Sequence, residues 1–258
     1  MTTLQEYALK TLGLIDLTSL NDNDTDDTIR SLCEKTKTPY GSVPAICIYS
    51  RYIPLAREIL NRINPAVKIA TVTNFPHGSS DIELSLYETK LALSRGADEV
   101  DIVFPYHYLI TGDSTMGRKM VVEAKKLCGD KTLKVIIESG ELKTPELIKQ
   151  ASNISIESGA DFIKTSTGKV AVNATLEATE IMLNCIKASG KKCGFKAAGG
   201  IKSVAEAAKY LDLTAKIMGE IWINANNFRF GASSLLGDVL NVLEGGTAVT
   251  AKENINIY

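Results

Sequence analysis

Eight short segments rich in β-branched or apolar residues recur along this chain: Leu14–Thr18, Ala45–Tyr49, Lys68–Phe75, Glu99–Phe104, Lys134–Ser139, Phe162–Thr167, Gly194–Gly199 and Arg229–Ser234. Their spacing, about 30 residues, is the length of one strand, one helix and the loops that join them. Runs such as Val135-Ile136-Ile137 are apolar at consecutive positions, as in a parallel sheet whose outer face is covered. The segments between read as helices. Ala178, Ile181, Met182, Cys185 and Ile186 fall on one helical face, with Thr175 as cap and Gly190 as stop. Thr144-Pro145 opens another helix that Gly159 ends, and Ser203-Val204-Ala205-Glu206 is a capping box. No linker or low-complexity tract divides the 258 residues. The expectation is α/β: a single-domain (β/α)8 TIM barrel over 1–258, with a mobile C-terminal tail from about 245 to 258. An open doubly wound sheet is the alternative, but no glycine fingerprint follows the first strand.

A net charge of -1 leaves no electrostatic footprint for nucleic acid or an anionic membrane. No apolar run approaches the roughly 18 residues of a spanning helix, and Gln5, Glu6 and Lys10 interrupt any signal-peptide core. Cys33, Cys47, Cys128, Cys185 and Cys193 are odd in number and scattered, which points to reduced thiols and a cytoplasmic location.

The segment Phe162-Ile163-Lys164-Thr165-Ser166-Thr167-Gly168-Lys169 carries a lysine inside an apolar strand. Both faces of a barrel strand are shielded from water, so an ammonium there needs a partner or a task. Lys164 is expected to point into the barrel near its C-terminal mouth, and Lys196 on the seventh strand meets the same constraint. Repulsion between two such groups favours the neutral form of one, lowering its pKa from about 10.4 toward working pH. A neutral amine is a nucleophile toward carbonyls. Asp101 on the fourth strand and Asp16 on the first would face the same interior, either neutralising the lysines or moving protons. The bland reading makes both lysines structural ion-pair partners.

Three turns at the same rim suit an anion: Thr167-Gly168-Lys169, Gly199-Gly200 and Gly231-Ala232-Ser233-Ser234. Glycines admit backbone N–H groups to a phosphate, and serines at a helix N-terminus add donors. Ser166-Thr167-Gly168-Lys169 is not a nucleotide P-loop, because the upstream glycine is missing. Asp22, Asp24 and Asp26 open like a calcium loop, yet Asp27 and Cys33 stand where glycine and glutamate are required. Those acids suit the first turn of a helix instead. His77 and His107 are too few for a histidine-based zinc site, and no metal or cofactor is expected.

Together these residues resemble the 2-deoxyribose-5-phosphate aldolase family in its longer bacterial form. The motifs that carry the likeness are Leu14–Thr18, Ala45-Ile46-Cys47-Ile48-Tyr49, Ala70-Thr71-Val72-Thr73-Asn74-Phe75-Pro76-His77-Gly78, Gly96-Ala97-Asp98-Glu99-Val100-Asp101, Phe162–Lys169 and Arg229–Ser234. The resemblance implies a class I aldolase that reversibly cleaves 2-deoxy-D-ribose 5-phosphate to acetaldehyde and D-glyceraldehyde 3-phosphate in deoxyribonucleotide catabolism. It implies a Schiff base on Lys164, proton relay by Asp101, tuning by Lys196 and help from Tyr258 on the tail. It implies pocket lining by Asp16, Thr18, Cys47 and Thr167, and phosphate binding by Gly168, Lys169, Gly199, Gly200, Gly231, Ser233 and Ser234. Ala197 and Ser50 depart from prolines common in the family. The expected partner is a small phosphosugar, without nucleic acid or membrane; a homodimer is allowed. The rivals are another imine-forming lyase or transaldolase on a different phosphosugar, and a non-catalytic phosphate-binding barrel.

Overall fold

Val, Ile and Thr are stiff at χ1 and pack well on a pleated surface, so the runs that carry them become strands. A computed structural model of the chain describes residues 1–246. Its centre is a closed barrel of eight parallel strands: β1 (Ile15–Ser19), β2 (Ala45–Ile48), β3 (Lys68–Thr73), β4 (Glu99–Val103), β5 (Thr132–Ile136), β6 (Phe162–Lys164), β7 (Gly194–Ala198) and β8 (Phe228–Ala232). Each pairs with its neighbours in sequence, and β8 closes on β1. A principal helix follows each strand: α1 (Asp26–Glu34), α2 (Ile53–Ile63), α3 (Ile82–Ser94), α4 (Thr115–Cys128), α5 (Pro145–Glu157), α6 (Leu176–Ser189), α7 (Val204–Met218) and α8 (Leu235–Leu243). The TIM-barrel expectation holds. Tyr258, and the expected tail from 247 onward, lie outside the described residues.

The helix caps follow the sequence. Thr144, Thr175 and Ser203 accept backbone N–H bonds from Leu147, Ala178 and Glu206, and Glu206 returns the bond in a complete capping box. The acidic run before α1 divides its work. Asp26 and Asp27 sit in the first turn behind the Thr25 cap, while Asp24 accepts from the Ser19 hydroxyl at 2.8 Å and ties the loop to β1.

Several boundaries differ from the sequence reading. β5 begins at Thr132 rather than Lys134 and stops at Ile136, because Glu138 takes a left-handed backbone (φ 54°) that turns the chain away. β6 stops at Lys164, three residues before the expected end. The N-terminal helix Thr3–Leu12, the short helices Tyr106–Ile110 and Ser139–Leu142, and a small antiparallel ribbon pairing Lys37–Thr38 with Gly41–Ser42 have no counterpart in the strand-helix repeat.

Alternation along the strands sorts their side chains. Ile15, Leu17, Val100, Ile102, Leu133, Val135, Ile163, Phe195 and Phe230 join one buried apolar cluster with helix residues such as Ile29, Leu60, Met120 and Leu183. That layer between strands and helices is the main stabilising core. Among the described residues no helix is long and apolar enough to cross a membrane.

Where α4 crosses the end of β4, the approach is closest at Gly117. A Cβ there would lie 2.0 Å from Phe104 Cζ, and Phe104 is itself buried. Alanine normally favours a helix over glycine by about 1 kcal/mol. Overpacking costs about 1–3 kcal/mol and should win here: Gly117→Ala is expected to lower the urea midpoint, not raise it.

Candidate active site

The other face of the strands points into the barrel, and much of it is charged. Pairing sets Asp101 beside Lys134, Lys164 beside Lys196, and Lys196 beside Arg229. Asp16 on β1 and Glu99 at the start of β4 complete the set. All are buried; Asp16, Asp101, Lys134 and Lys196 are 0% exposed and Lys164 is 3% exposed.

Six of these groups form a closed ring of alternating sign. Asp101 Oδ1 accepts from Lys134 Nζ at 2.9 Å, and Lys134 also bonds Glu99. Glu99 accepts from Arg229 at 3.2 Å, and Arg229 donates to Asp16 Oδ1 at 2.5 Å. Lys196 Nζ bridges Asp16 Oδ2 at 2.5 Å and Asp101 Oδ2 at 2.9 Å, which closes the circuit. Three carboxylates and three cations alternate, so the ring balances. Lys164 is the seventh group. Its Nζ donates to Asp101 Oδ2 at 2.9 Å, the same oxygen that Lys196 uses.

The electrostatics follow from this geometry. Burial alone would push the Asp101 carboxyl up, but Lys134, Lys164 and Lys196 outweigh it and hold it well below the usual carboxylate range. Asp16 is depressed in the same way, its burial overcome by Lys196, Arg229 and Lys134. Burial pushes Lys196 down, yet Asp101 and Asp16 raise it above the ordinary lysine value. Lys196 is therefore held as an ammonium.

Lys164 is rigidly seated. Its carbonyl accepts from Ile137 N at 3.0 Å, and Thr165 N donates to the Lys196 carbonyl at 3.1 Å, so both flanking strands fix its backbone. Above it opens a cavity of about 270 Å³ at the C-terminal mouth. Ten residues singled out from sequence line it: Thr18, Lys164, Thr167, Gly168, Lys169, Gly199, Gly200, Gly231, Ser233 and Ser234. Asp16, Asp101, Lys196 and Cys47 lie buried outside that lining. Gly168, Gly199 and Gly200 all have φ near +85°, a conformation that suits glycine and keeps side chains off the rim. Ser234 is the N-cap residue of α8 and makes no side-chain capping bond. Lys169 reaches across the mouth, its ammonium donating to the Leu20 carbonyl at 2.7 Å.

On the β2 and β3 side the barrel interior is apolar. Leu20, Cys47, Ala70 and Val72 form a second buried cluster with Tyr49 and Phe75 packed against it, and of these Leu20 lines the cavity. Burial pushes the Cys47 thiol up, which makes it a poor nucleophile. His77 is exposed on the loop after β3, away from the ring.

Sequence reasoning missed Lys134, Glu99, Arg229 and Glu138. The first three obey the constraint that singled out Lys164, but each stood at the first position of its expected strand, where a charge can reach water. Glu138 is 0% exposed and accepts from Thr167 N at 3.2 Å, so it steadies the turn beside Lys164. Burial raises its carboxyl above the ordinary value. Its signal is a charged residue directly after the apolar run Val135-Ile136-Ile137. Lys202 and Asn21 also line the cavity and were not anticipated.

The family model for DeoC/LacD family aldolases matches residues 11–238. Among solved structures, a protein assigned as a deoxyribose-phosphate aldolase from Toxoplasma gondii ME49 is similar at TM-score 0.85 and 25% identity, over 95% of this chain and 99% of that one. Another so assigned, from Coccidioides immitis, gives TM-score 0.80 and 27% identity over 91% and 86%. The tetrameric deoxyribose phosphate aldolase from Aeropyrum pernix shares the fold at TM-score 0.73 and 22% identity, over 93% and 96%.

Gly231 is the point of close approach beside Lys196. A Cβ there would stand 2.9 Å from Ala198 Cβ and 3.0 Å from Lys196 Cε. The Lys196 stem cannot swing aside without leaving Asp16 or Asp101. Gly231→Ala should therefore cut kcat at least about tenfold and cost about 1–3 kcal/mol of stability, read by steady-state kinetics and urea unfolding on the same preparation.

Proposed function

This chain belongs to the DeoC/LacD family of aldolases, and on that premise we propose that it cleaves 2-deoxy-D-ribose 5-phosphate reversibly through an imine on Lys164. The products are acetaldehyde and D-glyceraldehyde 3-phosphate. One observation carries the reading: a buried lysine amine, 2.9 Å from a buried carboxylate, faces a cavity rimmed by glycines and serines.

The ring supplies the electrostatics. With Lys164 as a free amine, three carboxylates face three cations. Lys196 remains an ammonium and disfavours a second charge beside it. The Lys164 amine adds to the C1 aldehyde of the open sugar, and Asp101 assists proton transfer as the carbinolamine loses water to give the iminium. Asp101 then takes the proton of the C3 hydroxyl. The C2–C3 bonding pair moves into the iminium, leaving an enamine on Lys164 and a new aldehyde on the departing triose phosphate. Protonation of the enamine at C2, followed by hydrolysis, releases acetaldehyde and restores the amine.

The remaining residues hold the substrate. Backbone N–H groups at Gly168 and Gly200, with Ser233 and Ser234 at the start of α8, receive the phosphate beside Gly199 and Gly231, and Lys169 and Lys202 add positive charge to the same cavity. Thr18 and Thr167 line the pocket, with Asp16 and Cys47 buried outside that lining. The five cysteines are all free and buried, which suits a reducing cytoplasm and a role in deoxyribonucleotide breakdown.

Borohydride added with 2-deoxyribose 5-phosphate should trap an adduct whose mass maps to the peptide bearing Lys164. Lys164→Ala should lower kcat on the order of 10⁴-fold or more, and Asp101→Asn by about 10²–10⁴-fold. Near-normal turnover by Lys164→Ala would remove the imine. Preference for another phosphosugar in a substrate panel would keep the imine and reassign the substrate.

A further inference from the structure

The ring reaches beyond the reacting centre. Its lower members, Glu99 and Arg229, line a second cavity of about 330 Å³. The first residues of β3 to β7 (Lys68, Glu99, Thr132, Phe162 and Gly194) line it too, which identifies it as the N-terminal mouth of the barrel. Substrate enters at the other end. We propose that Glu99 and Arg229 are positioning residues for Lys164, setting from the opposite mouth the ring charge on which its reactivity depends.

The inference rests on the imine chemistry proposed above. Glu99 acts through Lys134, which shares Asp101 with Lys164; Arg229 acts through Asp16 and Lys196, which meet the same Asp101. Around Lys164 stand Asp101 from β4, Lys196 from β7, Cys47 from β2 and Glu138 after β5, with Lys134 from β5 joined to Asp101 and Asp16 from β1 joined to Lys196. Around Glu99 and Arg229 stand Lys134 and Asp16 on the inner side, with Lys68, Asp130, Asp161 and Lys192 across the mouth. Those four mouth groups are two of each sign; Lys68, Asp130 and Lys192 are exposed, where salt screens them, and half-buried Asp161 is already paired with Lys125. The ring members are dry, so removing one of their charges is felt around the whole circuit.

The sign is fixed by the charge removed. Glu99→Gln leaves the interior one unit more positive and favours a free amine on Lys164. Arg229→Gln leaves it one unit more negative and favours the ammonium. The acid limb of the kcat/KM profile should move to lower pH for Glu99→Gln and to higher pH for Arg229→Gln, each by at least about half a pH unit. Arg229→Lys keeps the charge and should stay with the parent, and the double variant Glu99→Gln/Arg229→Gln should return toward it. A purely structural role would lower activity or stability without opposed shifts. Coincident limbs, or two single variants moving the same way, would overturn the inference. If Arg229→Gln does not fold, Glu99→Gln compared with Arg229→Lys decides it alone. Borohydride trapping on each protein separates the two readings. A parent that gives no Lys164 adduct removes the imine, and with it this inference; adducts throughout with unmoved limbs remove only the role of Glu99 and Arg229.

Discussion

Seven ionisable side chains share the inside of one barrel, and six of them are tolerable there because they alternate in sign around a closed circuit. Desolvating an ion costs several kcal/mol even in a relaxed protein interior. Good partners recover much of that and rarely more. The ring is thus a poor candidate for what holds the fold together. That work falls to the apolar layer of Ile, Val, Leu and Phe between strands and helices. What the ring provides is a preorganised field. Asp101 has no freedom to turn, since one oxygen is held by Lys134 and the other by Lys196 and Lys164. A carboxylate fixed in this way can meet a proton at a defined place without reorganising.

The repeat of eight strands was plain in the sequence, and with it the barrel, because strand-helix alternation is a long-period pattern insensitive to errors at any one boundary. Lys164, Asp101, Asp16 and Lys196 were legible for a related reason: each sat well inside an apolar run, where a charge contradicts its surroundings. Lys134 shows where that logic fails. With β5 taken to start at Lys134, the residue looked like a solvent-facing end; two more strand residues, Thr132 and Leu133, precede it and carry it into the interior. Glu99 and Arg229 were hidden by the same ambiguity about strand starts. Distances around the ring depend on pairing across strands far apart in sequence, which no local pattern encodes.

The C-terminal mouth is divided by chemistry as well as by strand number. From β6 to β8 the rim is glycine and serine, with positive φ at Gly168, Gly199 and Gly200. Toward β2 and β3 the interior is Cys47, Ala70 and Val72, with Tyr49 and Phe75 packed against them. The proposed phosphosugar, anionic at one end and apolar at the other, has the same asymmetry.

The pairing register has one more consequence. Along a strand, a slip of one residue carries every inward side chain to the outward face. In this barrel such a slip in β4, β5 or β7 would press Asp101, Lys134 or Lys196 into the dry helix layer and strand their partners without counter-charges. Misaligned closures are therefore penalised by the same charged groups that surround Lys164. A chain that has closed its barrel at all has, by that fact, passed an inspection of its charged interior, so well-folded molecules with a misassembled ring should be scarce in any newly made population.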